Sequence, residues 1–396
     1  MAEGNGNARA MPELRKDPVT GAWVIFSPER SRRPQDFATG GGDATPREHC
    51  PFCPENEART AGLEILRFPP AAPYLDQPWS IRVLNDKRPV LSSRESFHRF
   101  GEGMYDLMNG YGFHELIVES PVHDDRFSRF EDSHVRDLLS LYQNRAMELS
   151  NSHKIKQILI TRSSGVDAGA QISHPHSHIV ALPIVPKRIY EELQGSQGYY
   201  RFKDRCVYCD IIVQEREDAA RLVLENDSFV AFCAWAARFP FEVTIAPRVH
   251  LSRFETIRPN EIALLADIMK GVIAAIEGCL PHPALNLMFH TSPTPQSRTE
   301  ELSEVAKYYH WHLEIVPKMT RIAGFEWGSG FFINPILPED AARFLRDWLD
   351  AEKARSGAFP LSRTRPTVVR RSTRRNGARP PAASETEAGP ADHPGE

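Results

Sequence analysis

A chain of 396 residues, 41% hydrophobic and 25% charged, can bury a large core and falls in the soluble globular class, as one large domain or two medium ones. Its formal net charge of -4 gives no basic footprint for nucleic acid, and no apolar run has the length that spans a bilayer, so neither nucleic acid nor a membrane is an expected partner. The six cysteines are too few for a disulfide framework, and the first residues lack the apolar segment of a signal peptide; the expected location is the cytoplasm.

Residues 1–12 are rich in Gly, Asn and Ala and read as a disordered start. Cys50-x-x-Cys53 follows, and later an apolar segment, Leu116-Ile117-Val118-Glu119-Ser120-Pro121-Val122, that ends on His123. Val135, Leu138, Leu139, Tyr142, Ala146 and Leu149 recur at helical spacing and predict a helix over about 132–150. A strand over 157–161 and a Gly-rich loop (Gly165, Gly169) lead into His174-Pro175-His176-Ser177-His178 and the apolar run to Leu182. Alternation puts the three imidazoles on one face of an extended strand, and Pro175 points to an edge or irregular position.

The same order returns in the second half. Cys206-x-x-Cys209, an apolar segment ending on His250, a helix over about 259–280 (Ile262, Leu265, Ile268, Val272, Ile276), a strand over 285–289 and His310-Trp311-His312 follow one another. Two copies in register predict a tandem duplication. Short strands mixed with one long helix per half predict an α+β fold with antiparallel sheets rather than a doubly wound parallel sheet. The expected units are 13–195 and 196–350, followed by an Arg- and Pro-rich tail, 351–396, whose composition predicts disorder.

Zinc favours four ligands drawn from thiolate and imidazole, and a Cys-x-x-Cys turn supplies two. Cys50, Cys53, His123 and His174 are the expected set in the first half, and Cys206, Cys209, His250 and His310 in the second. A redox role is set aside, since neither cysteine pair opens a helix in a βαβ pattern. Cys233 and Cys279, among apolar neighbours, read as buried structural thiols.

Neutral imidazole is a nucleophile near pH 7 that needs no separate base. His176, at the centre of the triplet, is the expected nucleophile toward phosphorus, with His174 held by zinc to fix the strand and His178 donating to a phosphate oxygen. In and after the loop upstream, Ser163, Gly169 and Gln171 are expected substrate contacts, where backbone N–H groups approach phosphate oxygens.

At these residues the chain resembles the galactose-1-phosphate uridylyltransferase family, the nucleotidyl-transferring branch of the histidine-triad superfamily. The likeness runs over about residues 14–349. It rests on Asp17-Pro18-Val19-Thr20-Gly21-x-Trp23, Ser27-Pro28-Glu29-Arg30-Ser31-Arg32-Arg33-Pro34, the first Cys-x-x-Cys, Leu84-Asn85-Asp86-Lys87, Glu119-Ser120-Pro121-Val122-His123 and His174-Pro175-His176. The resemblance implies two tandem histidine-triad-like halves that together form a large half-barrel-like sheet. It also implies ping-pong chemistry, in which His176 attacks the α-phosphorus of a nucleotide sugar, releases the sugar 1-phosphate and hands the nucleotidyl group to a second phosphate. By the same resemblance, Cys50, Cys53, His123 and His174 bind zinc, Asn85 and Asp86 lie by the nucleoside, Arg30 and Arg33 bind substrate phosphates, and the protein is a homodimer. The expected reaction is UDP-glucose with galactose 1-phosphate.

The chain departs from the family pattern at several positions. His178 stands where the family has glutamine, and Ser163 where an asparagine is common. Cys206 and Cys209 suggest a second zinc site, whereas some members use a glutamate and three histidines, for which Glu192, His290 and His312 are candidates here. Residues 323–335, with 182–186, are more similar to the ADP-glucose phosphorylase subgroup, where the base is adenine and the acceptor inorganic phosphate; this is the alternative substrate pair. A nucleotide hydrolase using His174, His176 and His178, with water as acceptor, is a further reading.

Overall fold

The computed structural model describes residues 12–27, 45–295 and 304–356. Arg30, Arg33, the expected disordered start before residue 12 and the tail beyond residue 356 lie outside the described residues. The chain opens with β1 (Glu13–Lys16) and β2 (Trp23–Phe26). The first half continues with β3 (Glu64–Arg67), β4 (Arg82–Asn85), a separate hairpin of β5 (Arg99–Glu102) and β6 (Tyr105–Met108), β7 (Phe113–Val118), α1 (Asp132–Ser150), β8 (Gln157–Ser164), β9 (His176–Leu182) and α2 (Lys187–Lys203). The second half has α3 (Val207–Asp218), β10 (Leu222–Glu225), β11 (Phe229–Phe232), β12 (Val243–Pro247), α4 (Pro259–Cys279), β13 (Leu285–His290), α5 (Val305–Tyr308), β14 (His312–Pro317), α6 (Gly324–Ser329), β15 (Phe332–Asn334) and α7 (Pro338–Ser356).

Among the described residues, ten strands form one sheet in the order β10-β11-β12-β14-β13-β8-β9-β7-β4-β3. Every pairing in it is antiparallel. Read outward from the central β8–β13 pairing, the order is β8-β9-β7-β4-β3 on one side and β13-β14-β12-β11-β10 on the other. The repeated motif order is thus a repeated topology, and the two halves share a single α+β sheet that is open at β3 and β10. The expected boundary at 195 falls inside α2, and α7 continues past 350 to Ser356. Pro175 does not mark an edge strand: β9 lies between β7 and β8 and begins at His176, so the missing N–H of the proline falls just outside the ladder.

The periodic residues of α1 and α4 are buried together in the main core, against one face of the sheet. Helix α4 starts where its sequence dictates, with Pro259 in the first turn and the Glu261 carboxylate accepting from the Arg258 N–H at 2.7 Å. On β9 alternation separates the two faces. Ile179 and Ala181 join the helix-covered core with Val83 and Ile117, whereas His176 and His178 share the other face with their cross-strand partners Val118 and Leu116, which pack with Cys50, Phe52 and Cys53.

A buried polar network holds the approach to β9. The Glu119 N–H donates to the Pro175 carbonyl (3.0 Å), and the Glu119 carbonyl accepts from His134 Nε2 (2.7 Å). Its carboxylate holds Arg162 at 2.9 Å and accepts from the Tyr142 hydroxyl at 3.0 Å. The single Tyr142 proton is used there, so Ser177, 2.7 Å away, donates to the phenol oxygen. Glu119→Ala leaves the Arg162 guanidinium buried without its anion, and the unfolding free energy in a urea titration is expected to fall by about 3–5 kcal/mol. A loss below about 1 kcal/mol contradicts this role for the pair.

Candidate active site and metal centres

Two four-residue clusters follow one design. Donor atoms of Cys50, Cys53, His123 and His174 lie within 4.8 Å of one another, as do those of Cys206, Cys209, His250 and His310. In the first cluster His123 Nε2 donates to the Thr45 carbonyl (2.8 Å) and His174 Nε2 to the Ser120 carbonyl (2.7 Å). A carbonyl only accepts, so each neutral ring carries its proton on Nε2 and presents the Nδ1 lone pair to Cys53 Sγ, at 3.3 and 3.6 Å. The second cluster repeats this, with His250 Nε2 donating to the Ala306 carbonyl (2.8 Å) and His310 Nε2 to the Pro247 carbonyl (2.9 Å). Their Nδ1 atoms lie 3.4 and 3.6 Å from Cys209 Sγ.

These separations match the S···N edge of about 3.5 Å in a tetrahedron with metal–sulfur bonds of about 2.3 Å and metal–nitrogen bonds of about 2.0–2.1 Å. Burial, then the neighbouring Cys50, pushes the Cys53 thiol up to about 12, so a thiolate there calls for a cation. Burial also holds His174 down at about 4, neutral as a ligand must be. Cys206 caps the start of a helix, α3, but the element before it is α2 and not a strand, so the helix is not part of a βαβ unit. Cys233 is buried and Cys279 half-buried, with its thiol on the Phe344 carbonyl.

The glutamate-and-histidine group has a different character. Donor atoms of Glu192, His290, His312 and Glu314 also converge. Both nitrogens of His290 face carboxylates, however, Glu192 at 3.0 Å and Glu314 at 3.4 Å. Against the opposing effect of burial, these two carboxylates push His290 up to about 10, which favours the imidazolium form paired with them. Arg188 reaches both glutamates and Arg238 reaches Glu314 at 2.6 Å, so the charges close on themselves.

His176 sits next to the first cluster. Its Nδ1 donates to the His174 carbonyl at 2.7 Å, which puts the proton on Nδ1 and leaves Nε2 as the lone-pair nitrogen. Phe52 packs on the ring with centroids 5.5 Å apart, and burial lowers its basicity, keeping it neutral at pH 7. The His178 ring is 5.2 Å from that of His176, and its side chain is 27% exposed. Such a pair, one imidazole with a directed lone pair and a second beside it, can displace a leaving group at phosphorus and donate to a phosphate oxygen.

The other expected contacts are arranged less uniformly. Asp86 is half-buried with Oδ2 4.0 Å from His178 Nδ1, whereas Asn85 is exposed, its amide 3.5 Å from the Leu63 carbonyl. Ser163 donates to Asn286 Oδ1 (2.7 Å) across the β8–β13 join. Gly169 has φ +89°, which only glycine adopts without strain, and the exposed Gln171 accepts from Thr45 Oγ1 through its carbonyl (3.2 Å). His114, which the sequence reading did not single out, lies on β7 with its Nε2 3.0 Å from His178 Nδ1. The available signal was the antiparallel pairing of a Phe113–Val118 strand with the histidine strand, which places His114 diagonal to His178.

The family model for the galactose-1-phosphate uridyl transferase N-terminal domain matches residues 5–186. The chain is 34% identical over 349 residues to an ADP-glucose phosphorylase of Arabidopsis thaliana, covering 87% of this chain and 95% of that protein. It is 28% identical over 345 residues to a galactose-1-phosphate uridylyltransferase of Thermotoga maritima, covering 85% of this chain and 98% of that one. The crystal structure of an Arabidopsis thaliana ADP-glucose phosphorylase with bound ADP-glucose superposes with a TM-score of 0.69 at 34% identity, over 85% of this chain and 99% of that one. Likeness of this extent makes the chain a member of the galactose-1-phosphate uridylyltransferase family of nucleotidyltransferases.

Proposed function

We propose that the protein moves a nucleotidyl group from a nucleoside-diphosphate sugar to a phosphate-bearing acceptor through a covalent intermediate on His176 Nε2. The observation that carries this reading is the bond from His176 Nδ1 to the His174 carbonyl, which leaves Nε2 as the only ring nitrogen able to form a new bond. In the first step Nε2 bonds to the α-phosphorus, the bond from that phosphorus to the bridging oxygen breaks, and the sugar 1-phosphate leaves with the electron pair. In the second, an acceptor phosphate oxygen displaces the imidazole and restores the enzyme. His178 Nε2–H donates to a non-bridging oxygen during both steps, the expected role of a positioned donor. In this reading Asn85 and Asp86 serve the nucleoside, the loop with Gly169 and Gln171 serves the phosphates with Arg30 and Arg33 as further phosphate ligands, Ser163 braces that loop from β8 through Asn286, and the protein works as a homodimer.

ADP-glucose and inorganic phosphate are the substrate pair this reading favours, supported by 34% identity to the phosphorylase against 28% to the Thermotoga maritima uridylyltransferase. UDP-glucose with a hexose 1-phosphate is the second reading, favoured by the family model over residues 5–186. Incubation with donor labelled in the α-phosphate is expected to yield an acid-labile adduct, more of it from ADP-glucose than from UDP-glucose, and none from His176→Ala. Labelling that persists in His176→Ala, or fails with both donors, overturns the assignment of the nucleophile.

Both cysteine–histidine clusters hold zinc in this reading. The metal supplies charge to keep the thiolates ionised and fixes His174, whose carbonyl orients His176; it takes no part in bond breaking. Metal analysis of the purified protein is expected to give about two zinc ions per chain, one per four-ligand cluster. Cys50→Ser and Cys206→Ser are each expected to remove one ion, and full metal content in either variant rules out that cluster as a site.

A further inference from the structure

A third convergence of ligating side chains, Asp86, His114 and His178, lies beside the nucleophile. Two histidines and a carboxylate invite a metal reading, but the proton count opposes it. The Val90 backbone N–H donates to His114 Nδ1 at 3.3 Å, so that nitrogen carries no proton. A neutral His114 must then hold its proton on Nε2, which is occupied by that proton and is no ligand. His114 Nε2 and His178 Nδ1 are 3.0 Å apart, and one proton lies between them. Because His114 provides it, His178 Nδ1 accepts, and the remaining His178 proton is on Nε2. Asp86 does not alter this order: its Oδ1 is held by the Arg88 N–H at 2.7 Å, and its Oδ2 stands off at 3.7 Å from His114 and 4.0 Å from His178. Burial, then His176 and His114, depresses His178 to about 4, and burial lowers His114, so both rings are neutral where the enzyme works.

We propose that His114 is a positioning residue, whose tautomer, set by the Val90 backbone, locks His178 as an Nε2–H donor beside His176. This rests on nucleotidyl transfer at His176, and explains how a histidine serves where a donor of fixed polarity is needed. An imidazole beside a phosphate has two tautomers, and only one donates from the nitrogen that faces the ligand. The chain Val90 N–H to His114 to His178 selects it before substrate arrives. A glutamine amide nitrogen, by contrast, donates whatever stands behind it.

Two measurements test this on the full-length, metal-loaded protein. In ¹⁵N spectra of ring-labelled protein, assigned by single-histidine variants, His114 and His178 are both expected to show a protonated Nε2 and an unprotonated Nδ1. In steady-state transfer, His114→Ala is expected to lower kcat about tenfold or more with KM changed less than about threefold, the pattern of a donor used in the transition state. In the His178→Gln background the same change is expected to cost less than about twofold, whatever rate that background shows. Equal losses in both backgrounds overturn the proposal, as does an Nδ1–H form at either ring, or a metal ion that His114→Ala alone releases. Should no donor label the wild-type protein, the nucleotidyl-transfer reading fails by itself, while the ring spectra still decide the tautomer chain.

Discussion

The hydrogen bond from His176 Nδ1 to the backbone carbonyl of His174, two residues earlier, is the contact on which the proposed chemistry depends. It fixes a proton on one side of an imidazole and so directs the lone pair to the other. The bond forms only if the backbone at His174 stays where it is. That position is secured from two sides: His174 joins the Cys50, Cys53 and His123 cluster, and Glu119 ties the Pro175 carbonyl to a buried ion pair with Arg162. A loop that on its own would be free to move thus becomes a rigid mount, which is the condition for orienting a nucleophile toward phosphorus.

Duplication supplied the mount twice, and the halves have since diverged in what they place on it. His312 makes the same backward bond, to the His310 carbonyl at 3.2 Å, and the second cysteine–histidine cluster repeats the first atom for atom in its pattern of donors. Yet His312 packs between Tyr208 and His290, with ring centroids at 4.8 and 4.6 Å, and with Glu192, Glu314, Arg188 and Arg238 it lines a cavity. His176 has instead the partly exposed His178 at its side. The same backbone device therefore carries the proposed nucleophile in one half and a histidine among paired charges that line a cavity in the other.

The sequence made much of this legible, because periodicity and spacing record covalent order directly. The helix over 132–150 and the strand pairs flanking the histidines follow from alternation and 3.6-residue spacing, and the second cysteine cluster follows from its match to the first. What it concealed depends on pairing between distant strands. Whether Pro175 marks an edge, whether Ser163 meets substrate or Asn286, and that His114 lies diagonal to His178 are all consequences of register, which no local pattern encodes. The charge of His290 was hidden for the same reason: Glu192 and Glu314 reach it from α2 and β14. Substrate choice was the least legible, since a base pocket is lined from several segments at once.

The most direct test of the central claim is the site of attachment of phosphorus in the trapped intermediate. Protein labelled with ¹⁵N separately at Nδ1 and Nε2 of histidine, reacted with the nucleotide-sugar donor and observed by ³¹P spectroscopy, is predicted to show one-bond phosphorus–nitrogen coupling only from the Nε2 label, and none in His176→Ala. Coupling to Nδ1, or to a histidine other than His176, contradicts the account.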